Sequence, residues 1–219
     1  MSKLIEDRKL RDKVNVFRDR FYGGKVLARL LNKIDIKLDV VIAIPAGGIP
    51  VGIEVARHFN IDLKVAIVRK ILFPWTSEAG FGAVSWTNKI FYKNTGLSKE
   101  ELEKCIENAL KSVEKRMKLF KKYLPSKIEN KNIVLVDDGL ATGYTMYVAV
   151  DSIKDMGVKN IVVGAPTSSI HAINILLDRV DYIVVPNIRT SPIFAVADAY
   201  TYWRDLTEIE ILNILEKYR

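Results

Sequence analysis

Glutamine is absent from these 219 residues, cysteine occurs once and histidine twice. A lone cysteine, Cys105, excludes an internal disulfide. His58 and His171 have no ligand-type neighbours at metal-binding spacing, which leaves a metal hydrolase without its usual ligands. There is no Gly-x-Ser-x-Gly elbow and no Gly-Lys-Ser/Thr phosphate loop. The longest uncharged apolar stretch, Val40 to Ile53, is too short to cross a bilayer and is interrupted by "PAGGIP". The beginning, "MSKLIEDRKL", is charged and lacks the apolar core of a signal peptide. The expectation is a cytoplasmic protein that does not enter the membrane. Missing glutamine, with abundant Ile, Lys and Glu, leans towards a thermophilic source.

What is present is ordinary for a globular protein: 49% hydrophobic and 27% charged residues, with a net charge of +8. The excess of cations suits a polyanionic partner, either nucleic acid or a phosphorylated small molecule. Short apolar runs, "DVVIAI" (39–44), "LKVAIV" (63–68), "NIVLV" (132–136), "NIVVGA" (160–165) and "YIVV" (182–185), read as buried strands. Helical spacing appears between them, within 16–32, at 49–59, 143–156 and about 168–178. The clearest helix spans 98–124, with a Ser98–Glu101 capping box and Pro125 at its end. Strands alternating with helices predict an α/β fold, a doubly wound, mainly parallel sheet with helices on both faces. Residues 70–82 have no period and read as a long loop, followed by a hairpin around Thr87-Asn88.

Ligands in such sheets sit at the carboxyl ends of the strands. Two strand ends here are unusual. "PAGGIP" (45–50) pairs two glycines that let backbone approach an anion, although a plain tight turn has the same composition. "IVLVDDGLATGYTM" (133–146) carries a buried strand into two carboxylates, Asp137 and Asp138, then into a turn before a helix. Free N–H groups of residues 141–145, with the hydroxyls of Thr142 and Thr145, form a phosphate cup at the helix start. The carboxylates would repel a phosphate in direct contact. They suit vicinal hydroxyls, or a magnesium ion, elsewhere on the same ligand. Ribose 5-phosphate has that layout.

The same stretch resembles the phosphoribosyl pyrophosphate-binding motif of the type I phosphoribosyltransferases: four apolar residues, two acidic, two mostly apolar, then a small-Thr-Gly-x-Thr loop. Gly139 departs from the apolar residue usual there. "AIPAGGIPVGIEVA" (43–56) resembles the pyrophosphate loop of that family, and "AYTYWRDLTE" resembles the hood over its base. The resemblance implies one domain over 1–219, with a core at about 33–186 and a hood from about 187–219 joined by the N-terminal helix. It implies that Asp137 and Asp138 hold the ribose hydroxyls and magnesium, acting in catalysis. Ala141, Thr142, Gly143, Tyr144 and Thr145 would cradle the 5-phosphate. Ala46, Gly47 and Gly48 would bind pyrophosphate, often through a non-proline cis peptide. Many relatives have a basic residue where Ala46 stands, so Arg69 and Lys70 are candidates for neutralising pyrophosphate. Glu78 is a candidate base on a mobile catalytic loop at 70–82, and Trp75, Phe81 and Phe194 are candidates to stack on the acceptor.

The implied reaction transfers a 5-phosphoribosyl group from phosphoribosyl pyrophosphate to a nitrogen nucleophile, a nucleobase or related acceptor, with magnesium and release of pyrophosphate. A homodimer is implied as well. The rival is a regulator that senses phosphoribosyl pyrophosphate or a nucleotide and binds nucleic acid through Lys115, Arg116, Lys118, Lys121, Lys122 and Lys127. A solvated helix end explains that basic run equally.

Overall fold

In the computed structural model, which describes residues 2–76 and 79–218, the apolar runs form a six-stranded sheet. The chain begins with β1 (Lys3–Glu6), crosses through an irregular segment to α1 (Arg20–Leu31), and enters β2 (Val40–Ala43), α2 (Gly48–Phe59) and β3 (Asp62–Val65). Next come β4 (Val68–Leu72), β5 (Gly80–Ser85), β6 (Ile90–Tyr92) and the long α3 (Lys99–Leu119). The second half runs through β7 (Asn132–Val136), α4 (Tyr144–Lys154), β8 (Asn160–Gly164), β9 (Thr167–Ser169) and α5 (Ile170–Leu176). It ends with β10 (Tyr182–Val185), β11 (Asn187–Arg189) and α6 (Glu208–Tyr218).

The main sheet has the order β1-β10-β8-β7-β2-β3, and every pair in it is parallel. Its strands alternate between two cores, as the two-residue period of a strand requires. Val41, Ala43, Val134, Val136 and Val184 face a layer that includes α1, α2 and α6. Val40, Ile42, Ile133, Leu135 and Val163 face α4 and α5. Both faces are covered, so the strands read as unbroken apolar runs. The expected α/β architecture is the observed one.

Several local expectations change. The run 63–68 is two strands, because the chain leaves the main sheet after Val65 and re-enters a separate antiparallel sheet ordered β4-β5-β6. The aperiodic 70–82 is therefore not one long loop. Its ends are the paired strands β4 and β5, and a register shift between Ile71 and Leu72 blurs their alternation. The expected hairpin follows, with β5 and β6 joined through Trp86–Lys89. β1 is an addition at the sheet edge, and its polar "KLIE" hid it. The capping box at Ser98 is present in both directions. Among the described residues no helix is long and apolar enough to cross a membrane.

A second layer forms at the carboxyl ends of the strands. Phe17 pairs with Tyr200, its N–H donating to Ala199 at 2.9 Å, and Thr201 N–H returns to Phe17 at 2.8 Å. Asn187 Nδ2 reaches the carbonyls of Leu10 and Lys13. The segment before α1 and the segment after β11 thus lie against each other above the sheet. α6 lies elsewhere, against α2, with Ile211 and Leu215 buried.

The α1–α2 packing is closest at Gly24, where a Cβ would stand 2.9 Å from the Val51 Cα and carbonyl oxygen. Backbone cannot yield as a side-chain tip can. Gly24→Ala is expected to destabilise the fold by about 1–3 kcal/mol as overpacking, read as a lower urea midpoint with the m-value unchanged.

Candidate active site at the strand ends

β2 and β7 are neighbours, with Ala43 opposite Val136. The two unusual strand ends therefore emerge side by side. Asp137 and Asp138 leave β7, while Pro45 to Gly48 leave β2, with a cis bond between Pro45 and Ala46. The two glycines are explained by the carboxylates. A Cβ on Gly47 would lie 1.7 Å from Asp138 Oδ2. One on Gly48 would lie 2.9 Å from the Val136 carbonyl oxygen and 3.0 Å from Asp137 Cα. The Gly48 N–H is already bonded to the Ile44 carbonyl at 3.0 Å, which leaves Ala46 and Gly47 as the parts of this loop that can turn towards a ligand.

On the other side of the carboxylates lies the cup. Gly143 takes a positive φ of 81°, which L side chains seldom adopt, and α4 begins at the next residue. The Tyr144 N–H leans on Thr142 Oγ1 at 3.4 Å. The first N–H groups of a helix have no partner within it, so this turn presents donors to an anion. β9 rivets the loop from behind: Leu140 N–H donates to Thr167, Ser169 N–H to Leu140, and Ser169 Oγ to the Ala141 carbonyl at 2.6 Å. Ala141 and Thr142 are exposed, and Thr145 is half-buried. Tyr144 turns inward, its ring 5.3 Å from Phe91 and 5.5 Å from Lys93 Nζ.

The two acids are not equivalent. Asp138 Oδ2 accepts Nε of Arg20 at 2.7 Å, with side chains only 9% and 15% exposed. Arg20 also donates to the Arg204 carbonyl at 2.8 Å and lies flat on Trp203, 3.7 Å from its centroid. Tyr200 Oη donates to the Asp138 carbonyl at 2.6 Å. Burial and the adjacent Asp138 carboxylate push the Tyr200 phenol well above its usual range, so it stays a donor. Among the described residues Asp137 has no such cation in contact. Burial pushes its carboxyl well above the usual range, and the like charge of Asp138 adds to that. The Asp138 N–H, donating to Asp137 Oδ1 at 2.8 Å, and the more distant Lys70 pull the other way.

The remaining candidates separate. Lys70 and Arg69 point to opposite faces of β4, as consecutive strand residues must. Lys70 is exposed and acts electrostatically on Asp137. Arg69 is drawn down in pKa first by burial and then by Arg116, with Glu208 opposing. It faces the α3–α6 side, away from the carboxylates. Phe81 is only 4% exposed and packs in the core against Phe73, so it has no face to offer an acceptor. Trp75 is 71% exposed and stacks on Phe73. Phe194 covers Arg189 at 5.8 Å. Glu78 lies outside the described residues. Arg20, Tyr200 and Trp203 had no individual signal in the sequence. Arg20 stands 118 positions from the acid it holds, and only the quoted "AYTYWRDLTE" pointed to that neighbourhood.

The phosphoribosyl transferase domain model matches residues 23–197, and the chain belongs to that family. It is 27% identical over 213 residues to a protein of Mycobacterium tuberculosis, found in strains H37Rv and CDC 1551 and provisionally named a phosphoribosyl transferase. That alignment covers 93% of this chain and 47% of the other, so the chain spans about half the length of these curated relatives. The crystal structure of the protein TT1426 from Thermus thermophilus is 29% identical, covering 92% of this chain and 98% of that one, with a TM-score of 0.74. A purine phosphoribosyltransferase from Pyrococcus horikoshii Ot3 is 20% identical over 79% of this chain and 88% of its own, with a TM-score of 0.44.

The acidic pair has consequences for stability. Asp137 has its pKa raised by folding, so the folded state holds a proton that the unfolded state has released. Stability therefore falls as pH rises from the usual carboxylate range through the folded-state pKa. Asp137→Asn is expected to flatten that fall and raise the melting temperature at neutral pH, measured by calorimetry across pH. Arg20→Met removes the cation that Asp138 contacts at 2.7 Å and leaves the carboxyl buried beside Asp137. It is expected to lose about 3–5 kcal/mol, as breaking a buried pair does, read by denaturant unfolding at neutral pH.

Proposed function

We propose that the chain transfers a 5-phosphoribosyl group from phosphoribosyl pyrophosphate to a nitrogen nucleophile, releasing pyrophosphate. The observation that carries this reading is the placement of Asp137 and Asp138 between two anion-facing turns, the α4 cup and the loop before α2. A ligand with a phosphate at one end, hydroxyls in the middle and pyrophosphate at the other has that order of charges. The N–H groups of 141–145 with Thr142 and Thr145 take the 5-phosphate. Asp137 and Asp138 take the ribose hydroxyls. Ala46 and Gly47 with the Lys70 ammonium face the pyrophosphate.

Among the described residues no group of three or more His, Cys, Asp or Glu stands ready to hold a metal. Two carboxylates still fit magnesium, which retains waters and accepts ligand oxygens for the rest of its shell. Bound there, magnesium would neutralise charge developing on pyrophosphate. The protein's own part is to orient and desolvate. The nitrogen lone pair forms the new bond to the anomeric carbon as the carbon–oxygen bond to pyrophosphate breaks. The nitrogen then passes its proton to the departing pyrophosphate or to water. Lys70 and the backbone donors stabilise the departing oxygens. Burial and the neighbouring Asp138 favour the protonated form of Asp137, and a cation or a pair of hydroxyl donors bound there would favour its carboxylate.

The nucleic-acid reading rests on a basic run that is only partly free. Arg116 pairs with Glu208 at 2.6 Å and Lys122 with Glu216 at 3.2 Å, so part of the basic end of α3 is neutralised by α6.

Calorimetric titration with phosphoribosyl pyrophosphate and magnesium is expected to show binding with proton release. Changing Asp137 and Asp138 together to Asn is expected to weaken it at least tenfold, and unchanged affinity would refute the reading. A second expectation concerns the acceptor. In similar enzymes that act on 6-oxopurines the position matching Ala141 typically carries an Asp that serves the base's N7; the Ala141 methyl offers no acid or base there, and such groups contribute typically about 10²–10⁴-fold. Hypoxanthine and guanine are expected to be poor acceptors in steady-state pyrophosphate release. Turnover of either as efficient as the best acceptor found would contradict this.

A further inference from the structure

Arg189 ends β11 with only 7% of its surface exposed. Its Nε and Nη1 are buried and have no hydrogen-bond partner among the described residues. A guanidinium does not give up its proton in a protein. Buried donors of a charged group without hydrogen-bond partners are costly to a fold, so a partner for Nε and Nη1 is to be sought outside the chain. Asp12 is close enough to feel the charge, yet its oxygens are engaged by Thr190, accepting from the backbone N–H at 2.6 Å and from Oγ1 at 3.0 Å.

The direction of Arg189 follows from strand register. β11 pairs with β9 in parallel, Asn187 opposite Thr167 and Arg189 opposite Ser169. Side chains two apart share a face. Ile188 belongs to the other face and packs in the core under α4 and α5. On the Arg189 face, Thr167 Oγ1 donates to Asn187 at 2.6 Å and Ser169 Oγ holds the Ala141 carbonyl. Thr167 Cγ2 lies 3.0 Å from where a Gly139 Cβ would stand. That face looks onto the loop Gly139–Ala141, between the acidic pair and the phosphate cup. Phe194 closes it from above, its ring 5.8 Å from the guanidinium. Gly139 and Ala141 place no charge there, so among the described residues that stretch of loop offers the guanidinium no counter-charge.

We propose that Arg189 recognises an anionic oxygen on the acceptor, and that the acceptor is a planar heterocycle bearing a carboxylate or an ionised ring oxygen. This rests on the phosphoribosyl-transfer reading for the word acceptor, while the anion site itself stands on Arg189. The nucleophilic nitrogen would lie towards Asp138, and the anionic edge towards β11.

The test uses matched pairs that differ in the charged group: orotate against uracil, and nicotinate against nicotinamide. Each is titrated calorimetrically into the full chain, with phosphoribosyl pyrophosphate titrated separately. The carboxylate member of at least one pair is expected to bind at least tenfold more tightly. Arg189→Met is expected to erase that preference, leave phosphoribosyl pyrophosphate affinity within twofold, and keep or raise the melting temperature. Arg189→Lys is expected to retain part of the preference. Equal affinity within both pairs, or no binding of either carboxylate, would overturn the proposal. So would an equal loss of phosphoribosyl pyrophosphate affinity in Arg189→Met, which would assign the guanidinium to the 5-phosphate. A lower melting temperature with the preference intact would make it a structural partner of Asp12 and overturn it too. Failure of the wild type to bind phosphoribosyl pyrophosphate, with the carboxylate preference present, would sink the transfer reading and leave the anion site standing.

Discussion

Two adjacent carboxylates at the end of a buried strand are the constraint around which the upper half of this structure is arranged. Like charges that close cannot both be ionised in a low-dielectric site without a cation. The chain supplies one to Asp138 through Arg20, and the guanidinium is itself fixed by the Arg204 carbonyl and the face of Trp203. That single contact ties α1, β7 and the segment after β11 together. It also explains why the loop after β2 must be glycine at 47, since any side chain would occupy the place of the Asp138 carboxylate. What looked like flexibility for a ligand is first a clearance for an acid.

The elements visible in the sequence were those whose causes are local. Buried strands announce themselves as apolar runs, and the parallel sheet followed from their alternation with helices. The Ser98–Glu101 box and the helix it starts were legible for the same reason. The acidic pair and its turn were legible because chemistry of that kind is concentrated in a dozen consecutive residues. β1 escaped because an edge strand of four residues needs few apolar ones. The 70–82 stretch escaped because a register shift breaks the two-residue period on which strand recognition depends.

Arg20, Tyr200, Trp203 and Arg189 share a different reason for being hidden. Each acts across a large sequence separation, and an arginine or an aromatic in isolation has many ordinary uses. Arg69 and Lys70 show a complementary difficulty. Adjacent in sequence, they read as a pair, but a strand sends neighbours to opposite faces, so the one beside Arg116 and Glu208 shares no surface with the one facing Asp137. Charge adjacency in a strand is separation in space.

Gly139 joins these threads. A Cβ at 139 would collide with Val196 at 2.4 Å, so the space that a larger residue would fill from the loop is filled instead from the segment after β11. The wall beside Asp138 is therefore built by the covering segment, which also carries Tyr200 and Trp203. Tyr200 holds that segment to the Asp138 backbone carbonyl, and Arg20 bridges the Asp138 carboxylate to the Arg204 carbonyl on the same segment. The covering segment and the Asp138 carboxylate therefore share one fixed point, the Arg20 guanidinium. A substitution at 139 or 196 would register at Asp138 by this route, although neither side chain carries a charge.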